Sequence, residues 1–153
     1  MKTKLSSLIT TLCFLGATAG FAADPWMGTW KLNESKSKLA RGMGKNHTVV
    51  YQETGKKIKV IVDGVDKDGK ATHNEWTGKF DGKDYPATGP IWPSGWTCSI
   101  AKNGAQGLDV TWKKDGKVMY KDIFTASTDG KVLTDVGSAP VANEQIKAIY
   151  ERQ

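Results

Sequence analysis

The tripeptide Asp-Gly-Lys occurs four times, at Asp68-Gly69-Lys70, Asp81-Gly82-Lys83, Asp115-Gly116-Lys117 and Asp129-Gly130-Lys131. Asp-Gly tolerates the positive φ angles of a two-residue hairpin turn, so each copy between β-rich runs predicts a strand reversal. Four such reversals describe an antiparallel meander, because parallel strands need crossovers of a dozen or more residues. The intervening runs agree. Over residues 57–62, Ile58, Val60 and Val62 share one face with Lys57 and Lys59 opposite. In residues 107–113, Leu108, Val110 and Trp112 alternate with Asp109, Thr111 and Lys113. Period-two alternation marks a half-buried strand.

Strands are expected over residues 26–33, 47–53, 57–62, 71–80, 83–88, 96–101, 107–113, 118–126 and 131–136. Residues 34–45 form a polar connection, and residues 89–95 form a loop because Pro90 and Pro93 lack the amide donors of a central strand. Residues 143–152 read two ways. As a helix, Ile146, Ile149 and Tyr150 would form a stripe; as a strand, Ile146, Ala148 and Tyr150 would share a face. A meander needs a last strand to close it, which favours the second. The expectation is an all-β, antiparallel up-and-down meander closed into a barrel of about eight to ten strands, with room inside for side chains and one small ligand.

The first residues stand apart from this pattern. Lys2 and Lys4, an apolar run over residues 5–15 and the small residues 16–23 follow the order of a secretory signal peptide. The apolar run is too short to span a bilayer. Residues 1–22 are therefore expected to be cleaved, leaving residues 23–153 as one exported domain, secreted or periplasmic, with no integral membrane association. Cys13 leaves with the leader, so Cys98 stands alone and is expected to be buried beside Trp96. The formal charge of +6 falls to about +4 without Lys2 and Lys4. The remaining basic residues are scattered along outward strand positions, which suits a solvated surface and no nucleic-acid groove.

Several segments carry a resemblance. Gly28-Thr29-Trp30 opens the first strand and resembles the Gly-x-Trp motif of lipocalins. With Ser35-Lys36-Ser37-Lys38, Val62-Asp63-Gly64-Val65-Asp66, Lys79-Phe80-Asp81-Gly82-Lys83-Asp84-Tyr85-Pro86 and the closing Ile149-Tyr150-Glu151-Arg152-Gln153, the chain is similar to small exported bacterial lipocalin-like proteins. The resemblance implies a calycin-type barrel with a pocket. It also implies that Trp30 packs at the closed end of the barrel, with Arg152 of the last strand as its partner. It implies no cofactor and no activity, and residues 91–96 depart from its pattern.

Catalytic chemistry is sparsely represented. His73 and Glu75 share a strand face and would act at a barrel mouth in a hydrolase or isomerase, but they point outward if Trp76 points inward. Asp66, Asp68, Gly69 and Glu75 mimic a calcium loop whose first ligand position is Gly64, and strands flank it, so a turn explains them better. The six tryptophans say more. Trp92 and Trp96 flank Pro93-Ser94-Gly95 in a loop and are expected at the pocket mouth. The reading is a binding protein without covalent chemistry, taking a small, mostly apolar ligand. Its expected contacts are Val60, Val62, Trp76, Phe80, Tyr85, Trp92, Trp96, Val110 and Trp112, with Asn74 as polar anchor. Two rivals remain: a carbohydrate-binding β-sandwich that stacks sugars on Trp26, Trp92 and Trp96, and a filled barrel that acts through its surface on another protein.

Overall fold

The structure, a computed structural model, describes residues 24–138 and 145–153. The expected signal peptide lies outside these residues. Ten strands follow in chain order: β1 (Gly28–Leu32), β2 (Lys45–Thr54), β3 (Lys57–Val65), β4 (Ala71–Gly78), β5 (Asp81–Thr88), β6 (Trp96–Asn103), β7 (Gly107–Lys114), β8 (Lys117–Ala126), β9 (Val132–Ser138) and β10 (Gln145–Arg152). Each pairs antiparallel with the next, and β1 also pairs with β10, so the meander closes into a barrel. The sandwich rival is thereby overturned. The last segment is a strand with Ala148 and Tyr150 buried, as closure requires.

The Asp-Gly pairs do not act alike. Asp115 and Gly116, at φ 49° and 79°, make the two-residue hairpin between β7 and β8. The copies at Asp68 and Asp129 sit in five-residue loops instead. There Asp66 Oδ1 accepts from the Lys70 amide at 2.9 Å, and Ser127 Oγ accepts from the Lys131 amide at 3.2 Å. A side chain at the first loop position thus satisfies the fifth backbone donor twice over, in the manner of Asx and Ser/Thr turns. Asp81-Gly82 is no turn at all. It opens β5, where the register with β6 shifts between Asp81 and Asp84, and the reversal falls on Lys79-Phe80.

Alternation puts one face of each strand inside. Trp30, Leu108 and Leu133 are fully buried there. One end of the barrel carries the chain entry, the β2–β3, β4–β5, β6–β7 and β8–β9 connections, and the last residues of β10. This end is plugged by aromatics: Phe80 lies 6.1 Å from Trp26, 6.4 Å from Tyr51 and 6.2 Å from Trp76, centroid to centroid. Trp26 sits in a turn before β1 rather than in the strand, and its carbonyl accepts from Trp30 Nε1 at 2.7 Å.

The expected Trp30–Arg152 pair is present, with the guanidinium carbon 4.2 Å from the indole centroid. The same guanidinium donates to the carbonyls of Pro25, Met27 and Gly130, tying the chain entry, the β8–β9 loop and the last strand together. Gly28 makes room for it. A Cβ there would lie 2.6 Å from an Arg152 nitrogen, and φ is +117°. The glycine and tryptophan of the motif thus serve one contact.

Removing the guanidinium leaves three part-buried carbonyls short of a donor and exposes an indole face. Arg152→Leu is expected to cost about 2–4 kcal/mol of stability. Arg152→Lys is expected to restore only part of that, because an ammonium lacks the planar fork. Urea midpoints at constant slope check both.

Candidate ligand cavity

The barrel is filled at its plugged end and open inside toward the other, where the β1–β2, β3–β4 and β5–β6 connections lie. A cavity of about 280 Å³ runs from Tyr51 and Ile100 in the middle of the barrel to a rim of half-buried Leu39, Met43, Val65 and Ile91. Val60, Val62, Trp76, Trp92, Val110 and Trp112, all expected as ligand contacts, lie on its wall. Trp92 is not the exposed loop residue the sequence suggests. It is only 5 % exposed and stacks on Trp112 at 4.3 Å and 23°. With Trp26 also buried, the sugar-stacking platform of the sandwich rival is absent from the described surface.

Asn74, Phe80, Tyr85 and Trp96 are off the wall. Asn74 points inward, but its amide is used up: Oδ1 accepts from the Ile91 amide at 3.1 Å and Nδ2 donates to the Val62 carbonyl at 3.4 Å. It anchors the loop that carries Ile91 and Trp92, not a ligand. Phe80 belongs to the β4–β5 reversal and fills the plugged end. Tyr85 packs edge-on to Trp76 at 5.8 Å and donates to Asp81 at 3.1 Å. It fills the space where β4 and β5 part after pairing only at Glu75–Thr88 and Trp76–Ala87. Trp96 is half-buried against Tyr120 at 6.0 Å.

Among the wall residues the sequence reading missed are two carboxyls. Asp122 of β8 and Asp135 of β9 are both 7 % exposed and lie on the wall of this largely apolar cavity. Asp122 Oδ2 accepts from Trp112 Nε1 at 2.9 Å. Its carboxyl occupies the space above Gly137, where a Cβ would fall 1.8 Å from Oδ1. Asp135 Oδ1 has no hydrogen-bond partner among the described residues. The signal was available: Asp122 alternates with Tyr120, Phe124 and Ala126, and Asp135 with Leu133 and Gly137, so each breaks the inward face of its strand.

Burial pushes the Asp122 carboxyl up to about 6. Asp135 is raised well above the usual carboxylate range, first by burial and then by the charge of Asp122. Burial likewise raises the hydroxyls of Tyr51, Tyr120 and Tyr150, which line the same cavity and stay protonated donors at neutral pH. Cys98, also on the wall, is buried as expected, and burial pushes its thiol far above the range in which it would ionise.

The outer wall holds what was considered for catalysis. Trp76 points inward, so His73 and Glu75 point out. His73 Nδ1 lies 2.6 Å from Asp63 and Nε2 lies 3.2 Å from Glu75. These hydrogen bonds, that to Asp63 first, raise the imidazole above its ordinary value. Both partners are surface groups of β3 and β4, on the outer face of the barrel. Asp66 spends its carboxylate on its own loop, and no cluster of metal-ligating side chains occurs among the described residues.

No family model matches the chain, and no curated protein matches it. Among solved structures, a redesigned β-barrel, mFAP1, bound to DFHBI is similar at 12 % identity. The match covers 86 % of this chain and 98 % of that one, with a TM-score of 0.46.

The buried carboxyls set the pH dependence of stability. With Asp122 near 6 folded and about 3.9 unfolded, the folded chain binds more protons in that interval, so stability falls as pH rises through it. Asp135 extends the loss to higher pH. The protein is expected to be more stable at pH 5 than at pH 8, and Asp122→Asn to shrink that difference by roughly 1–1.5 kcal/mol. His73 acts in the same direction from the surface, so the comparison of wild type with Asp122→Asn isolates the carboxyl. Urea titrations at the two pH values read the outcome.

Proposed function

We propose that this is an exported lipocalin-like protein that takes a small, mostly apolar molecule into its barrel and holds it by burial and shape, without covalent chemistry. The observation that carries the reading is the cavity of about 280 Å³, walled by aliphatic and aromatic side chains from eight of the ten strands. Pockets that bury small ligands have this composition, apolar with a few convergent polar groups. Two aromatics hold its mouth open and shaped, since Trp92 stacks on Trp112 and its loop is bonded to Asn74.

The Gly28–Trp30–Arg152 arrangement at the plugged end supports the lipocalin-like assignment. The leader-like residues 1–22 support export to a periplasmic or extracellular space. The outer wall carries ion pairs such as Lys59–Glu75 and Lys113–Asp84, each 2.7 Å, where a membrane barrel would carry an apolar band. The thiol on the cavity wall is held protonated, which suits binding rather than nucleophilic attack.

Native mass spectrometry of protein purified from its own host is expected to show a retained small molecule that is lost on unfolding. Val110→Phe, which places a ring in the cavity, is expected to lose that mass while keeping the β-sheet circular dichroism of the wild type. A bare mass for wild type and variant alike would sink the reading in favour of a barrel that acts through its surface.

A further inference from the structure

We propose that the cavity selects a cation: an ammonium group carried on a small aromatic or apolar body, with its N–H donors directed at Asp122 and Asp135. This inference rests on the ligand-binding reading above and sharpens it to a chemical class.

An apolar barrel has no structural use for two carboxyls on its inner wall. Isolated charges in such surroundings are costly unless paired, and a buried polar atom without a partner is a cost in its own right. Among the described residues Asp122 has a single donor, Trp112 Nε1, against the several lone pairs a carboxylate presents. Asp135 Oδ1 has none among the described residues. The chain does accommodate the pair, because the absence of a side chain at Gly137 is what houses the Asp122 carboxyl.

Among the described residues the protein supplies no cation of its own to them. The one lysine on the described cavity wall, Lys45, sits at the rim and is paired with Glu34. Arg152 is committed to Trp30 and three carbonyls at the opposite end. The interior is therefore acidic although the chain as a whole carries a formal +6.

An ammonium answers each of these features. It brings three donors and a positive charge to two carboxyls, and charge-assisted bonds of this kind are the strong ones. The tryptophans on the cavity wall, Trp76, Trp92 and Trp112, suit the aromatic or apolar body of such a ligand. A carboxylate ligand would be repelled, and a neutral one would leave the aspartates as unpaired as they are.

The probes are 2-phenylethylamine, 2-phenylethanol and 3-phenylpropionate, which share a ring and a short chain but differ in charge. Titration by tryptophan fluorescence and calorimetry at pH 7.5 is expected to rank amine over alcohol by at least about tenfold, the size of one charge-assisted bond, with the carboxylate weakest. Asp122→Asn, which keeps shape and removes the charge, is expected to lower amine affinity about tenfold and leave alcohol affinity unchanged, and Asp135→Asn, which removes the second acceptor carboxyl, is expected to lower amine affinity as well. Amine affinity is also expected to fall as pH drops through about 6, where Asp122 takes up a proton.

The other titratable groups facing the pair do not confuse that inflection. Tyr51 of β2, Cys98 of β6, Tyr120 of β8 and Tyr150 of β10 all stay protonated there, and both histidines are exposed. Equal binding of amine and alcohol, or an amine preference that survives both substitutions, overturns the cation inference alone. Failure of all three probes to bind overturns the ligand-binding reading with it.

Discussion

Barrel closure rests on the shortest strand. β1 has five residues, yet it is hydrogen-bonded on one side to β2 and on the other to β10, and without it the sheet would have two open edges. Such a strand buries little by itself. It is held by what surrounds it: the indole of Trp30 beneath the Arg152 guanidinium, and that guanidinium bonded to the carbonyls of Pro25, Met27 and Gly130. Gly28 is the steric condition for the arrangement. Once the ring is closed, every inward side chain must share one lumen, and the aromatics from the chain entry and the β4–β5 reversal fill its near end.

The far end is left hollow, and its electrostatics run against its hydrophobicity. Two aspartates among valines, tryptophans and tyrosines lower stability at neutral pH relative to an all-apolar wall. Structural barrels gain nothing from them. Sites that bind or react commonly keep such groups at a cost in stability, and a carboxyl displaced from its ordinary ionisation by burial inside a cavity is a familiar mark of one. In the binding proposed above, the aromatic wall takes the apolar part of a ligand and the carboxyls its polar part, within one cavity.

Much of this was legible before the structure, and the failures were local. Alternation in residues 57–62 and 107–113 placed Val60, Val62, Val110 and Trp112 inside, because the pleat allows only two faces. Residues 89–95 were rightly a loop, yet Trp92 folds inward from it, since a loop bonded to Asn74 is a lid on the core and not a free segment. Phe80 and Tyr85 alternate as lining residues would. They fill gaps instead because β4 and β5 separate, and a splayed pair is invisible to periodicity. The Asp-Gly copies shared a sequence but not a geometry: only Asp115-Gly116 forms a two-residue turn by itself, while Asp68-Gly69 and Asp129-Gly130 lie inside five-residue loops.

What the chain determines on its own is therefore what nearest neighbours determine: strands, reversals, the inward face of each, and the glycine-tryptophan opening. Those follow from backbone sterics and a period of two, which act over a few residues. Which inward side chains meet, and where space remains among them, was decided only on closure. Asp122 and Asp135 come from adjacent strands, but the Tyr51 and Tyr150 that share their cavity come from β2 and β10. No local pattern links these strands; the closed ring does.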